Sequence, residues 1–145
     1  MIKRLFSSEE ISRDLGLLLL RLGVGLSVAV FHGYGKITGG VEAWTSIGGS
    51  MSNLNVEYYP VFWGFMAGFA EFVCSCLLIL GVLFRPATFL LAFTMFVAAM
   101  HHLHLPADKP NAGWSGASHA LELMSIYLCL MFTGPGKYSL TMRGR

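Results

Sequence analysis

Apolar residues gather in four stretches of about 20, the length a helix needs to cross a hydrocarbon core roughly 30 Å thick. The first runs from about Leu15 to Tyr34 and is broken by Arg21 and His32. The second runs from Val61 to Leu83 and is broken by Glu71. The third, Pro86 to about Leu105, is free of charge but closes in His101, His102 and His104. The fourth, about Gly116 to Thr133, is shorter, with His119 and Glu122 near its start. This pattern predicts an all-α fold: a transmembrane four-helix bundle formed as one domain by residues 1–145. The competing reading is a soluble all-α protein with buried helices. The residues outside the four stretches are too few to cover four apolar cylinders.

The connections differ in kind. Leu83-Phe84-Arg85-Pro86 is a minimal turn, with Pro86 in the first turn of the third helix where a missing N–H costs nothing. Helices two and three are therefore antiparallel neighbours. The segment Gly35 to Pro60 holds five of the seventeen glycines. Val41, Trp44, Ile47 and Met51 recur in it at helical spacing. It reads either as a short amphipathic helix lying at the outer interface or as an irregular loop. Trp114 ends the loop Pro106 to Ser115 as an interfacial anchor. The first stretch is too long for the apolar region of a cleaved signal peptide. Cations bias the orientation. Lys3, Arg4, Arg13, Arg85, Lys137, Arg143 and Arg145 fall on one side, and only Lys36 and Lys109 on the other. The positive-inside rule then places both termini in the cytoplasm.

Composition narrows the class further. The set AVILMFWYC makes up 54% and DEKR 12%, against roughly 25% charged in soluble domains. Mean hydropathy is +0.61. These values argue against a water-soluble enzyme and a disordered tail. A net charge of +2 without a basic stripe argues against nucleic acid as a partner. Three cysteines do not make a disulfide scaffold. Cys74-Ser75-Cys76 is not a C-x-x-C pair, and its thiols point about 200° apart on a helix. The cysteines read as small buried hydrophobes.

Each helix carries a small or polar stripe. These are Arg21, Gly25, Val28 and His32; Gly64, Gly68, Glu71 and Ser75; Thr94, Ala98 and His101; and Ser118, Glu122, Ser125 and Cys129. Small residues let helices approach, and ionisable groups are costly against hydrocarbon, so all four stripes are expected to face inward. A second stripe, Ala67-Ala70-Cys74, is free to take a partner helix. On a rise of 1.5 Å per residue, Glu71 lies about 16 Å and both Glu122 and His101 about 8 Å below the outer boundary. Arg21 lies roughly 9 Å above the cytoplasmic one, so direct contact with Glu71 is not expected without tilt or water.

Three readings compete. The polar groups are internal glue; or His and Glu bind a quinone and exchange protons; or they hold a metal ion. Adjacent imidazoles diverge by about 100°, so the metal reading uses His101 and His104 with His119 and Glu122 across the bundle. The candidate catalytic residues are Glu71, Glu122, His101 and Arg21, with Glu71 or Glu122 holding or relaying a proton and Arg21 balancing buried negative charge. His32 and His119 are the candidate cofactor-binding residues at the mouth, and His101, His104 and His119 the candidate metal ligands. No dinucleotide, haem or iron–sulfur fingerprint is present in the sequence. A redox role therefore needs quinone, a metal or a partner. A solute or proton pathway is a third class, and four short helices need an oligomer to form one.

Leu19-Leu20-Arg21-Leu22-Gly23-Val24-Gly25 followed by His32-Gly33-Tyr34-Gly35-Lys36 resembles the first helix of the DoxX family. Glu71 followed by Leu77-Leu78-Ile79-Leu80-Gly81-Val82-Leu83-Phe84-Arg85-Pro86-Ala87 continues the resemblance. So do Glu122 and the close Gly134-Pro135-Gly136-Lys137-Tyr138-Ser139-Leu140. The likeness covers nearly the whole chain. It implies a small four-helix membrane protein, and Arg21, His32, Lys36, Glu71, Arg85 and Glu122 as the family-like polar residues. The family takes its name from subunits of a thiosulfate:quinone oxidoreductase. Other members resemble membrane partners of redox or detoxifying enzymes, and related eukaryotic proteins act as cargo receptors or assembly factors. His101-His102-Leu103-His104 is richer in histidine than the family pattern. The expectation is a multi-pass subunit of a redox system in a bacterial cytoplasmic membrane, surrounded by lipid and joined to a larger complex or to copies of itself. The alternative is a non-enzymatic structural or assembly subunit.

Overall fold

A computed structural model of the chain describes residues 10–141. Lys3, Arg4, Arg143 and Arg145, on which the predicted orientation partly rests, lie outside the described residues. The described residues are helical, and four helices are long and apolar enough to cross a membrane: α1 (Arg13–Ile37), α3 (Pro60–Leu80), α4 (Phe84–His104) and α5 (Gly113–Thr133). A shorter helix, α2 (Gly40–Gly48), runs on into a tight 3-10 turn over Gly49–Leu54. The protein is a multi-pass membrane protein. Large apolar side chains such as Leu19, Phe31, Phe62 and Phe89 cover its outside as lipid-facing surface.

Local chemistry sets the helix ends. Ser12 accepts a hydrogen bond from the Leu15 N–H, and Asp14 in the first turn suits the positive end of the helix dipole. Pro60 opens α3. At the other end of α3, Gly81 takes a φ of 71°, its N–H bonding Leu78 O while the Val82 N–H bonds Leu77 O. That left-handed stop closes the last turn and reverses the chain into α4.

Of the two readings of Gly35 to Pro60, the helix is the one the fold adopts. α1 also continues past Tyr34 to Ile37. α2 packs back along the first half of α3, with Gly48 against Pro60 and Trp44 against Gly64, while Ile37 at the end of α1 meets Gly68. A Cβ on Gly64 would collide with the Trp44 carbonyl oxygen. The Gly64-x-x-x-Gly68 stripe is therefore consumed inside the chain.

Burial follows the sequence stripe throughout on α3 and departs from it on the other helices. Gly64, Gly68, Glu71 and Ser75 are all buried. Arg21, Gly25 and Val28 are buried, but His32 is exposed. A π turn at Ala29–Gly33 intervenes, and each extra residue rotates the next face by about 100°. On α4 the interior takes Thr88, Leu91, Met95 and Ala99, while Thr94, Ala98 and His101 flank it. On α5 the expectation is reversed. Ala117, Ala120, Leu123, Tyr127 and Leu130 pack inward, chiefly on α4, and Ser118, Glu122, Ser125 and Cys129 face out. Both faces of α5 offer small residues, and the apolar one makes the core. The Ala67-Ala70-Cys74 stripe is not free either, because Ala70 and Cys74 are buried within the bundle. Of the cysteines, Cys74 is core as expected, whereas Cys129 is exposed.

Candidate functional site

Two π turns face each other in the half of the bundle remote from the carboxy-terminal segment, Ala29–Gly33 in α1 and Ala70–Cys74 in α3. Their backbones are nearly in contact: a Cβ on Gly33 would lie 2.5 Å from the Glu71 carbonyl carbon. Inserted turns of this kind gather at functional sites because they redirect a side chain without ending the helix. Here the redirected chain is Glu71. Its Oε1 accepts a hydrogen bond from Lys36 Nζ at 2.7 Å, with side-chain exposures of 2% for Glu71 and 32% for Lys36. Lys36 is held in turn from its backbone, where Trp44 Nε1 donates to its carbonyl at 2.7 Å.

The pair leaves polar capacity unused. Glu71 Oε2, Ser75 Oγ and Tyr127 OH are buried with no hydrogen-bond partner among the described residues. Ser75 follows Glu71 on the same stripe of α3, and Tyr127 comes from α5. A buried carboxylate oxygen without a donor is costly. A ligand hydroxyl, a water molecule or a proton at that oxygen removes the cost.

The other expected residues lie elsewhere. Arg21 is 1% exposed, and by helix rise sits about 22 Å along α1 from Lys36. It donates to two backbone carbonyls, Nη1 to Pro135 O at 2.6 Å and Nη2 to Tyr138 O at 2.5 Å. The charge that meets Glu71 is thus Lys36 and not Arg21. The Arg21 contacts strap the Gly-Pro-Gly segment against the end of the bundle. There the Leu140 N–H also bonds Leu80 O at 2.9 Å, and the Lys137 N–H bonds Asp14 Oδ1 at 2.9 Å.

The histidines divide into two groups. His32 and His119 come together, with ring centroids 5.9 Å apart, and both are exposed. His101 Nδ1 lies 3.2 Å from Ser50 Oγ in an open groove of about 200 Å³ lined also by His104, Ser46, Ser52 and Asn53. His104 Nδ1 bonds the Met100 carbonyl of its own helix at 2.8 Å, and His102 Nδ1 bonds Asn111 O at 2.9 Å. No three His, Cys, Asp or Glu side chains among the described residues stand close enough to share a metal ion. The set His101, His104 and His119 is split between the groove and the His32 contact. Glu122 is exposed and has no hydrogen-bond or ion-pair partner among the described residues.

Sequence reasoning placed Lys36 in a loop and so missed the ion pair. The available signal was the appearance of Lys36 beside Glu71 among the family-like polar residues, while Gly33 and Gly35 masked the helical continuation of α1. Comparison with known families matches the sequence model of the DoxX family to residues 16–104, the stretch that contains Lys36, both π turns and Glu71. No curated protein and no solved structure matches the chain.

Proposed function

The chain belongs to the DoxX family, and from that premise we propose that it is a small membrane subunit of a redox system, linked to quinone or to a partner enzyme at the Lys36–Glu71 pair. The observation that carries this reading is the pair's asymmetry. One carboxylate oxygen is committed to Lys36 and the other has no partner among the described residues, while Lys36 keeps an exposed side. A group built only for packing needs no half-open ion pair in hydrocarbon. The Lys36 ammonium suits a carbonyl oxygen, and Glu71 Oε2 suits a hydroxyl proton. A bound quinone supplies two-electron, two-proton chemistry. The part of this chain is to position the ring and to hold or pass a proton at Glu71, with the electrons coming from the partner. With the termini in the cytoplasm of a bacterium, the pair opens to the outer leaflet of the cytoplasmic membrane.

The reading is tested by titrating the protein in nanodiscs with a short-chain quinone while following tryptophan emission, since Trp44 bonds the Lys36 carbonyl. Saturable quenching is expected, weakened tenfold or more in Glu71→Gln and Lys36→Met. Quenching that never saturates, or that both variants leave unchanged, refutes the quinone link. The alternative, a non-enzymatic assembly subunit, draws on a different observation: the outward carboxylate of Glu122.

A further inference from the structure

Three of the five histidines spend a ring nitrogen inside the chain: His101 on the Ser50 hydroxyl, His102 on the Asn111 carbonyl and His104 on the Met100 carbonyl. The other two, His32 and His119, make no hydrogen bond among the described residues and face each other instead. The fold creates this meeting. The π turn Ala29–Gly33 carries His32 off the buried stripe of Arg21, Gly25 and Val28 and out to the surface. There it meets a ring from α5, a helix that otherwise packs chiefly on α4. Inserted turns of this kind gather where a side chain has a task. By helix rise, His32 lies about 8 Å from the end of α1 and His119 about 9 Å from the start of α5, so both stand at one level within reach of interfacial water.

The spacing decides what two such rings do together. Their centroids are 5.9 Å apart, with the planes tilted by 35°. A ring nitrogen sits about 1.15 Å from its centroid, so two ring nitrogens come no closer than roughly 3.6 Å, beyond the roughly 3.2 Å reach of a hydrogen bond. An ion between them fits. With metal–nitrogen bonds of about 2.0 to 2.1 Å, two coordinated rings have centroids at most about 6.4 Å apart. The observed separation then corresponds to an N–metal–N angle of about 135°, which a small rotation of either exposed ring adjusts. Each neutral imidazole presents one lone-pair nitrogen and keeps the other as N–H, so the pair offers two neutral nitrogen donors. Such donors suit Zn2+, Ni2+ and Cu2+, and Cu2+ binds tightest of the three.

We propose that His32 and His119 together bind one late first-row transition-metal ion, Cu2+ most tightly, at the end of the bundle remote from the carboxy-terminal segment. The set differs from the one the sequence suggested, because His32 stands where His101 and His104 were expected. Among the described residues no third His, Cys, Asp or Glu completes it, so the remaining positions go to water or to a small ligand. The ion ties α5 to α1 one residue from Gly33, whose backbone lies against Glu71.

The test is a Cu2+ titration of the full-length protein in phosphatidylcholine nanodiscs, read by electron paramagnetic resonance. A Cys129→Ser background keeps the exposed thiol from competing. One Cu2+ per chain is expected, with the nitrogen couplings of two imidazoles. His32→Ala and His119→Ala should each weaken binding tenfold or more and leave one imidazole in the spectrum. His102→Ala and His104→Ala should bind as the parent does. Both rings of the pair are exposed, so the metal-free variants should melt with the parent, and Cu2+ should raise the midpoint of the parent alone. Binding unchanged in His32→Ala or His119→Ala, a single imidazole in the parent spectrum, or binding lost in His104→Ala would each overturn the proposal. Lys36→Met and Glu71→Gln should bind Cu2+ as the parent does, so this outcome and that of the quinone titration are independent.

Discussion

Replacing Arg21 by Met removes the clamp on the chain's carboxy-terminal segment while keeping most of the buried volume. Hydrogen bonds to a charged donor contribute about 1.5 to 3 kcal/mol each, so the two carbonyl contacts are worth roughly 3 to 6 kcal/mol together. With Arg21 gone, the segment keeps its bonds from Leu140 to Leu80 and from Lys137 to Asp14, and that from Thr141 to Gly81. Those contribute about 1 kcal/mol each. Ordering the backbone costs about 1 to 2 kcal/mol per residue. Against that cost, losing roughly 3 to 6 kcal/mol shifts the docking equilibrium toward the undocked form by about two orders of magnitude or more. Trypsin cleavage after Lys137 is then expected to accelerate a hundredfold or more, with hydrogen exchange of the Leu140 amide accelerating in parallel. The bundle itself should keep its helicity, because α1 packs through Gly25 and Val28 independently of the strap. Arg21→Lys, with a single donor centre, should fall between. If the segment of Arg21→Met resists trypsin as the native protein does, the assignment of Arg21 as its clamp is wrong.

Three further outcomes test the ion pair, the α2 contact and the orientation expected from the cation bias. Lys36→Met strands the Glu71 carboxylate and should lower the thermal midpoint in detergent. Lys36→Met combined with Glu71→Leu should recover part of that loss, since removing both members of a buried pair costs less than removing one. Gly64→Ala drives a methyl group into the Trp44 carbonyl and should cost about 1 to 3 kcal/mol while shifting tryptophan emission, as α2 is pushed off α3. A reporter fused after the last residue should be active only in the cytoplasm, and activity only outside it would reverse the orientation.

Much of the architecture was legible because a membrane span is a local property. Twenty apolar residues cross a bilayer whatever surrounds them, so the stretches of the sequence match α1, α3, α4 and α5 to within a few residues. The Gly64, Gly68, Glu71 and Ser75 stripe was legible for a related reason, since its helix has only one face with both small and ionisable groups. The outward turn of Glu122 was not legible. α5 has two faces of small residues, and nothing in its own sequence ranks them.

The order of residues alone settles the class of the protein, the number of its membrane-length helices, and the need for buried charge to be met by something. The partner of each charge emerges only from the packed bundle: Lys36 for Glu71, two backbone carbonyls for Arg21, and nothing within the described residues for Glu122. Length and hydropathy fix whether a helix crosses, because they depend on the solvent alone. The rotation of one helix against another depends on side-chain packing across the bundle. Two π turns, each turning the next stretch of helix by about 100°, change that rotation without leaving a mark in the hydrophobic pattern.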